Sequence, residues 1–168
     1  MQIISLFEKQ SMYKSILFYL LFIGAKAYSQ GIDYKQLQKQ DSSIFVCHVL
    51  DSSDFEALVH KLEAYKPDTF SRNRHLYHYD LGMAYYSLSS FKKDSNYMRK
   101  AAQQMHYSLA VDPYYTLSLW NAALMHFFLN ECERSKYYLD IYCKLEKKPV
   151  DKGSVKAIRD RCSRKSTN

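Results

Sequence analysis

His78-Tyr79-Asp80-Leu81-Gly82-Met83-Ala84-Tyr85 is the stretch whose reading decides the fold. Its apolar and small residues recur three and four apart, the spacing of one helix face and not of a pleated strand. Read outward, Tyr77, Leu81, Ala84, Tyr85 and Leu88 form a single stripe. Gly82 and Ala84 leave room for a second helix to approach closely. Small pairs recur at Ala101-Ala102 and Ala122-Ala123. No convincing alternating strand is found, so the chain is predicted to be all-α. Only four Gly and three Pro in 168 residues also argue against a many-turned all-β chain.

Breakers and caps divide the rest. The spacing predicts helices over 71–89, 96–111, 114–129 and 131–147, with Asp112-Pro113 and Pro149 as stops. The polar stretch Ser90–Ser95 is expected to connect the first two. Upstream, 34–40 is polar and weakly helical, and the apolar run 43–50 reads as helix or strand, helix being the expectation. Ser53-Asp54-Phe55-Glu56 has the form of a capping box that opens a helix to about Tyr65, ended by Pro67. Ser154 is expected to cap a last helix to about Arg164. That helix is one-sided: Val155, Ile158 and Cys162 face one way, and Lys156, Arg159 and Arg161 the other.

His78-x-x-Leu81-Gly82-x-x-Tyr85, then Ala101-x-x-x-Met105 and Pro113, resembles the tetratricopeptide repeat, with His where Trp is usual and Met where Phe is usual. Leu119-x-x-Ala122-Ala123-x-x-His126, Ser135-x-x-x-Leu139 and Pro149 are similar in degraded form. Leu81-Gly82-Met83-Ala84-Tyr85 with Lys100-Ala101-Ala102 also resembles the related Sel1-like repeats. Gly82 to Ala123 spans 41 residues, against a family period of about 34. The surplus is assigned to the Ser87–Ser95 connection.

The resemblance implies a short stack of antiparallel helical hairpins, a tetratricopeptide-like α-solenoid. Its repeats would be 71–113 and 114–149, with a basic capping helix and tail over 150–168 and residues 43–66 as a weaker third unit. It also implies a concave groove, lined by the first helix of each repeat, that receives a peptide or protein. On that side lie Tyr79, Met83 and Tyr86 in the first repeat. Leu117, Trp120, Leu124 and Phe127 lie there in the second, with Phe128 beside them. Tyr79, Met83, Tyr86, Trp120, Leu124 and Phe127 are therefore the expected protein-binding residues. Two arrangements stand open: a groove exposed to a partner, or one filled by residues 32–66 or by the last helix.

Residues 1–27 have the three parts of a secretory signal peptide: Lys9 and Lys14, the apolar run Ile16–Ile23, and the small-x-small Ala25-Lys26-Ala27. The expected product is exported, periplasmic or secreted, and begins near Tyr28 or Gln30. A polar segment over 28–42 would precede the helical domain at 43–168. Met12 is an alternative start. An uncleaved membrane anchor is the other reading, although eight apolar residues fall short of the roughly 20 that span a bilayer. With Cys47 the first cysteine, a lipid-modified cysteine at the cleavage site is not expected.

Net charge is +7 and uneven: residues 144–168 hold nine Lys/Arg against three acids, and residues 28–143 are close to neutral. Lys152, Lys156, Arg159 and Arg161 could meet anionic lipid or polysaccharide, and the alternative function is an envelope structural or membrane-surface protein acting through this basic tail. Nucleic acid is not an expected partner of an exported chain. Export would permit disulfides. Cys132 and Cys143 are eleven residues apart on one predicted helix, about 16 Å, which no disulfide bridges. Cys143 with Cys162 is the easier pairing; four unpaired thiols is the alternative.

No hydrolase elbow, zinc-protease helix, phosphate loop or dinucleotide turn is present. His75 and His78, three apart, lack a clear third metal ligand, and adjacency of Cys47 and His48 does not make a catalytic pair. Glu131 and Glu133 read as acids favoured in a helix's first turn. The expectation is a non-enzymatic chain with no cofactor and no metal.

Overall fold

In the computed structural model the described residues are 32–40, 52–65, 70–147 and 151–164. The predicted signal segment, the apolar run 43–50 and Cys47 lie outside them. The fold is all-α, with seven helices and one pair of very short strands among the described residues. The helices are α1 (Tyr34–Gln40), α2 (Ser52–Ala64), α3 (Arg74–Lys92), α4 (Ser95–Val111), α5 (Thr116–Phe128), α6 (Cys132–Leu145) and α7 (Lys152–Arg164). Strands β1 (Ile32–Asp33) and β2 (Phe70–Arg72) pair in parallel. Sequence periodicity could not show them, because two and three residues carry no period.

The stripe on α3 is buried: Tyr77, Leu81, Ala84, Tyr85 and Leu88 are all in the core. Partners along α3 and α4 run in opposite order. Ser108 donates to the His75 carbonyl at 2.8 Å, His78 meets Gln104, and Tyr85 stacks on Tyr97. The two helices are therefore antiparallel. Gly82 sits at their closest approach, where an added Cβ would lie 2.6 Å from Met105 Cε and 3.3 Å from the Ala101 carbonyl oxygen. Ala101 and Ala102 are buried opposite it.

The same register logic orders the other helices. α2 lies antiparallel to α3, with Phe55 against Phe91, Glu56 paired to Lys92, and the Tyr77 hydroxyl donating to the Leu62 carbonyl. α5 follows α4 in antiparallel fashion through Ser118 to Ser108 and Glu131 to Arg99. α6 packs on α5 through Ser135, which donates to the Ala123 carbonyl, and through Tyr142 against Trp120. α7 lies on α6 and buries Val155, Ile158 and Cys162.

Several local expectations are corrected. The connection between α3 and α4 is only Lys93-Asp94, because α3 continues to Lys92. The surplus over a 34-residue period is thus helix, not loop: α3 has 19 residues. Phe91 and Lys92 stay helical because both contact α2. α2 opens at Ser52, so Ser53 lies inside the helix rather than at its cap. The cap of α7 is Asp151, not Ser154: its Oδ1 accepts from the backbone N–H of Gly153 and Ser154. That acceptance holds its carboxyl below the usual range, first through the Ser154 hydroxyl.

Among the described residues a disulfide joins Cys132 to Cys162, with Cα atoms 5.1 Å apart, and Cys143 is free. The expected Cys143–Cys162 pairing fails for a geometric reason. α7, 13 residues or about 20 Å long, runs back along α6, so its C-terminal end reaches the start of α6. Closing a 30-residue separation should contribute about 3 to 4 kcal/mol. Cys132→Ser with Cys162→Ser is expected to lower stability by about that amount in chemical denaturation under oxidising conditions, and Cys143→Ser to leave it nearly unchanged.

Candidate functional site

Two places in the fold gather functional chemistry. The first is the seam between α3 and α5, which run in the same direction. Tyr79 meets Tyr115 edge-on at 5.5 Å, and farther along Tyr86 stacks on Phe128 at 6.3 Å. Met83 and Leu124 lie at the intervening positions and are half-buried against the core. Phe128 is 50% exposed, and Leu117 and Tyr114 are exposed at the near end. Of the six expected binding residues, Tyr79, Met83, Tyr86 and Leu124 belong to this partly exposed seam. Trp120 does not: it is only 9% exposed and lies against Tyr142 of α6. Phe127 is half-buried under the Arg161 guanidinium, 5.0 Å above its ring. Phe128, named only as a neighbour in the sequence, is the more open of the two.

At one end the seam borders α1. Tyr34 is fully buried, edge-on to Tyr77, and its hydroxyl donates to Asp80 at 2.9 Å. Gln38 donates to the same carboxylate oxygen at 2.6 Å. Burial pushes the Asp80 carboxyl up to about 6, against the opposing pull of those two hydrogen bonds. Burial and the nearby carboxylate also raise the Tyr34 hydroxyl well above its ordinary value.

The second place is a pocket of about 250 Å³ where α4, α5 and the α5–α6 turn meet. Arg99, Gln103 and His106 line it from α4, His126 and Leu129 from α5 and its end, and Glu131 and Arg134 from the turn and α6. Glu131 Oε2 lies 2.7 Å from His126 Nδ1, and His126 Nε2 lies 2.8 Å from His106 Nε2. A carboxylate can only accept, so His126 Nδ1 donates to it. Neutral His126 then has a bare Nε2, and His106 donates to that. The Tyr138 ring stacks on His126 at 5.6 Å and on His106 at 5.5 Å, which fixes both imidazole planes.

Burial lowers both histidines below their usual value. His126 is partly restored by Glu131, while His106 is lowered further by His126 and Arg134. Burial raises the Glu131 carboxyl, but His126, Arg134 and Arg99 outweigh it and hold the group below the usual carboxylate range. The arginine contacts are long, 3.5 Å from Arg99 and 3.4 Å from Arg134.

None of this second site was singled out from the sequence. His106 is 20 residues from His126, and Glu131 reads in the sequence as a first-turn acid. The usable signal was the register: helices folded back about the Asp112–Tyr115 turn bring residues near 106 opposite residues near 126. The histidines that were singled out serve elsewhere. His78 is buried with Nδ1 on Gln104 at 2.8 Å, and the His75 ring meets Tyr115 edge-on. Among the described residues no three His, Cys, Asp or Glu side chains form a group that could hold a metal ion.

Compared with protein-family models, curated proteins and solved structures, the chain matches none.

Asp80 gives a test of the α1 contact. Its folded pKa lies above the ordinary 3.8, so the stability tied to it is fully present below 3.8 and is lost as pH rises through about 6. The full span is about 3 kcal/mol. Asp80→Asn keeps an acceptor but does not titrate. The stability of the wild type relative to this variant should rise as the pH is lowered through that window, measured by denaturation at a series of pH values. The histidine terms run the other way but are common to both proteins.

Proposed function

We propose that this chain is an exported, non-enzymatic binding protein, a short tetratricopeptide-like or Sel1-like stack of helix pairs closed by α7, whose α3–α5 seam receives a protein or peptide. The observation that carries the reading is the Tyr86–Phe128 stack: two aromatic rings from two different helices, with Phe128 half exposed. Aromatic side chains that present rigid apolar area beside polar edges are favoured anchors for a partner. Tyr114 and Leu117 at one end and Phe128 at the other offer such a partner exposed apolar area, with the Asn121 amide as a polar point between them. The Cys132–Cys162 bond supports export, since disulfides persist in oxidising compartments.

The basic face of α7 supports a membrane or polysaccharide role less well. Arg161 is used on Phe127 and on the Asn130 side chain at 2.7 Å, and Arg159 is turned toward Asp140 at 3.9 Å. Of the four basic residues expected to meet such a surface, that leaves Lys152 and Lys156 without a described acidic or aromatic contact.

A peptide library displayed against the purified chain tests the reading. Enriched peptides should carry apolar or aromatic residues, and Tyr86→Ala with Phe128→Ala should weaken their binding by more than about tenfold. The same double variant should unfold within about 1 kcal/mol of the wild type, because neither ring is fully buried. Trp120→Ala should instead cost about 3 kcal/mol of stability. Peptides that bind the double variant as well as the wild type would end the proposal.

A further inference from the structure

The pocket at His106, His126 and Glu131 is separate from the seam and is left unused by it. Arg99 comes from α4 and Arg134 from α6, and their side chains are 63% and 66% exposed. Each reaches a different oxygen of Glu131 at the outer limit of hydrogen-bonding distance. Two guanidinium forks therefore converge on one point from two helices, with most of their N–H groups directed at no other described side chain. Two cations and one carboxylate leave one net positive charge. Gln103 adds an amide at the wall, although its Nε2 donates to Tyr107.

The histidine pair can add to that charge once. If His126 takes a proton, Nδ1–H still faces Glu131 and Nε2–H now donates to His106, whose own proton moves to Nδ1. Every hydrogen bond survives with its direction reversed at one place. A second proton would set two N–H groups against each other across 2.8 Å. The groups facing the pair are Arg99 from α4, Glu131 and Arg134 from the turn and α6, and the Tyr138 ring. Arg161 of α7 is turned away to Asn130 and Phe127.

We propose that this pocket binds a small molecule carrying a tetrahedral oxyanion, a phosphate or sulfate group, between Arg99 and Arg134, and that binding is coupled to uptake of one proton by the His106–His126 pair. A tetrahedral group offers acceptor oxygens in several directions, which suits two forks arriving from different helices better than a planar carboxylate. A dianion matches the two net positive charges of the protonated pocket. Glu131 holds the arginines in place when the site is empty.

Sulfate is the probe, because its charge stays constant over the pH range concerned. It is titrated against the full chain at fixed ionic strength, made up with chloride, while the imidazole resonances of His106 and His126 are followed. The expected result is a saturable shift of both rings, with affinity about tenfold tighter near pH 5.5 than near pH 7.5. Arg99→Gln with Arg134→Gln should abolish saturation while leaving thermal unfolding close to wild type, since both side chains are exposed. His106→Gln with His126→Gln should keep sulfate binding but remove its pH dependence. A non-saturating response, or an equal response in the arginine double variant, overturns the site. Equal affinity at the two pH values overturns the proton coupling.

Discussion

Three consecutive residues, Asn130, Glu131 and Cys132, tie the second half of this protein together. Asn130 adopts a left-handed backbone, φ 60°, which ends α5 and lets the Glu131 N–H reach back to the His126 carbonyl at 2.8 Å. The Asn130 side chain then accepts from Arg161. Glu131 holds the His126 ring. Cys132 fixes the end of α7 to the start of α6. Backbone, electrostatic and covalent constraints thus meet within one turn. The pocket geometry depends on all of them, because a turn free to move would carry Glu131 away from both arginines and the histidine pair.

Helix existence was legible because burial on one face imposes a 3.6-residue period, and Tyr77, Leu81, Ala84, Tyr85 and Leu88 obey it. Helix ends were not. Ser90–Ser95 reads as a loop by composition, yet Phe91 and Lys92 are held in α3 by Phe55 and Glu56 of α2, a tertiary contact with no local trace. The same limit misplaced the disulfide. Cys143 and Cys162 are nearer in sequence, but nearness along two antiparallel helices is measured from the turn between them. Cys132 is far from that turn, and so is Cys162.

The two candidate sites differ in how much of them the sequence carried. The seam was visible because its residues are large, apolar and regularly spaced. What periodicity could not decide is which members of the stripe a neighbouring helix covers. Leu117, Trp120, Leu124 and Phe127 share one line on α5, but α6 lays Tyr142 on Trp120 and α7 lays Arg161 on Phe127. The histidine pocket was invisible for the opposite reason. Its residues are scattered polar positions on three elements, and only the folding back of α5 on α4 turns them into a chain of hydrogen bonds.

The question of an open or a self-filled groove has a divided answer in physical terms. At the Tyr79 end, Asp80 lies within electrostatic reach of Tyr79 and Tyr115, and α1 covers it with Tyr34 and Gln38. At the α7 side, Arg161 shields Phe127. Between these, Tyr86 packs against the core and stacks on Phe128, which meets Phe127 edge-on and is half exposed. Asp80 therefore marks the covered end of the seam, and Phe128 its open part.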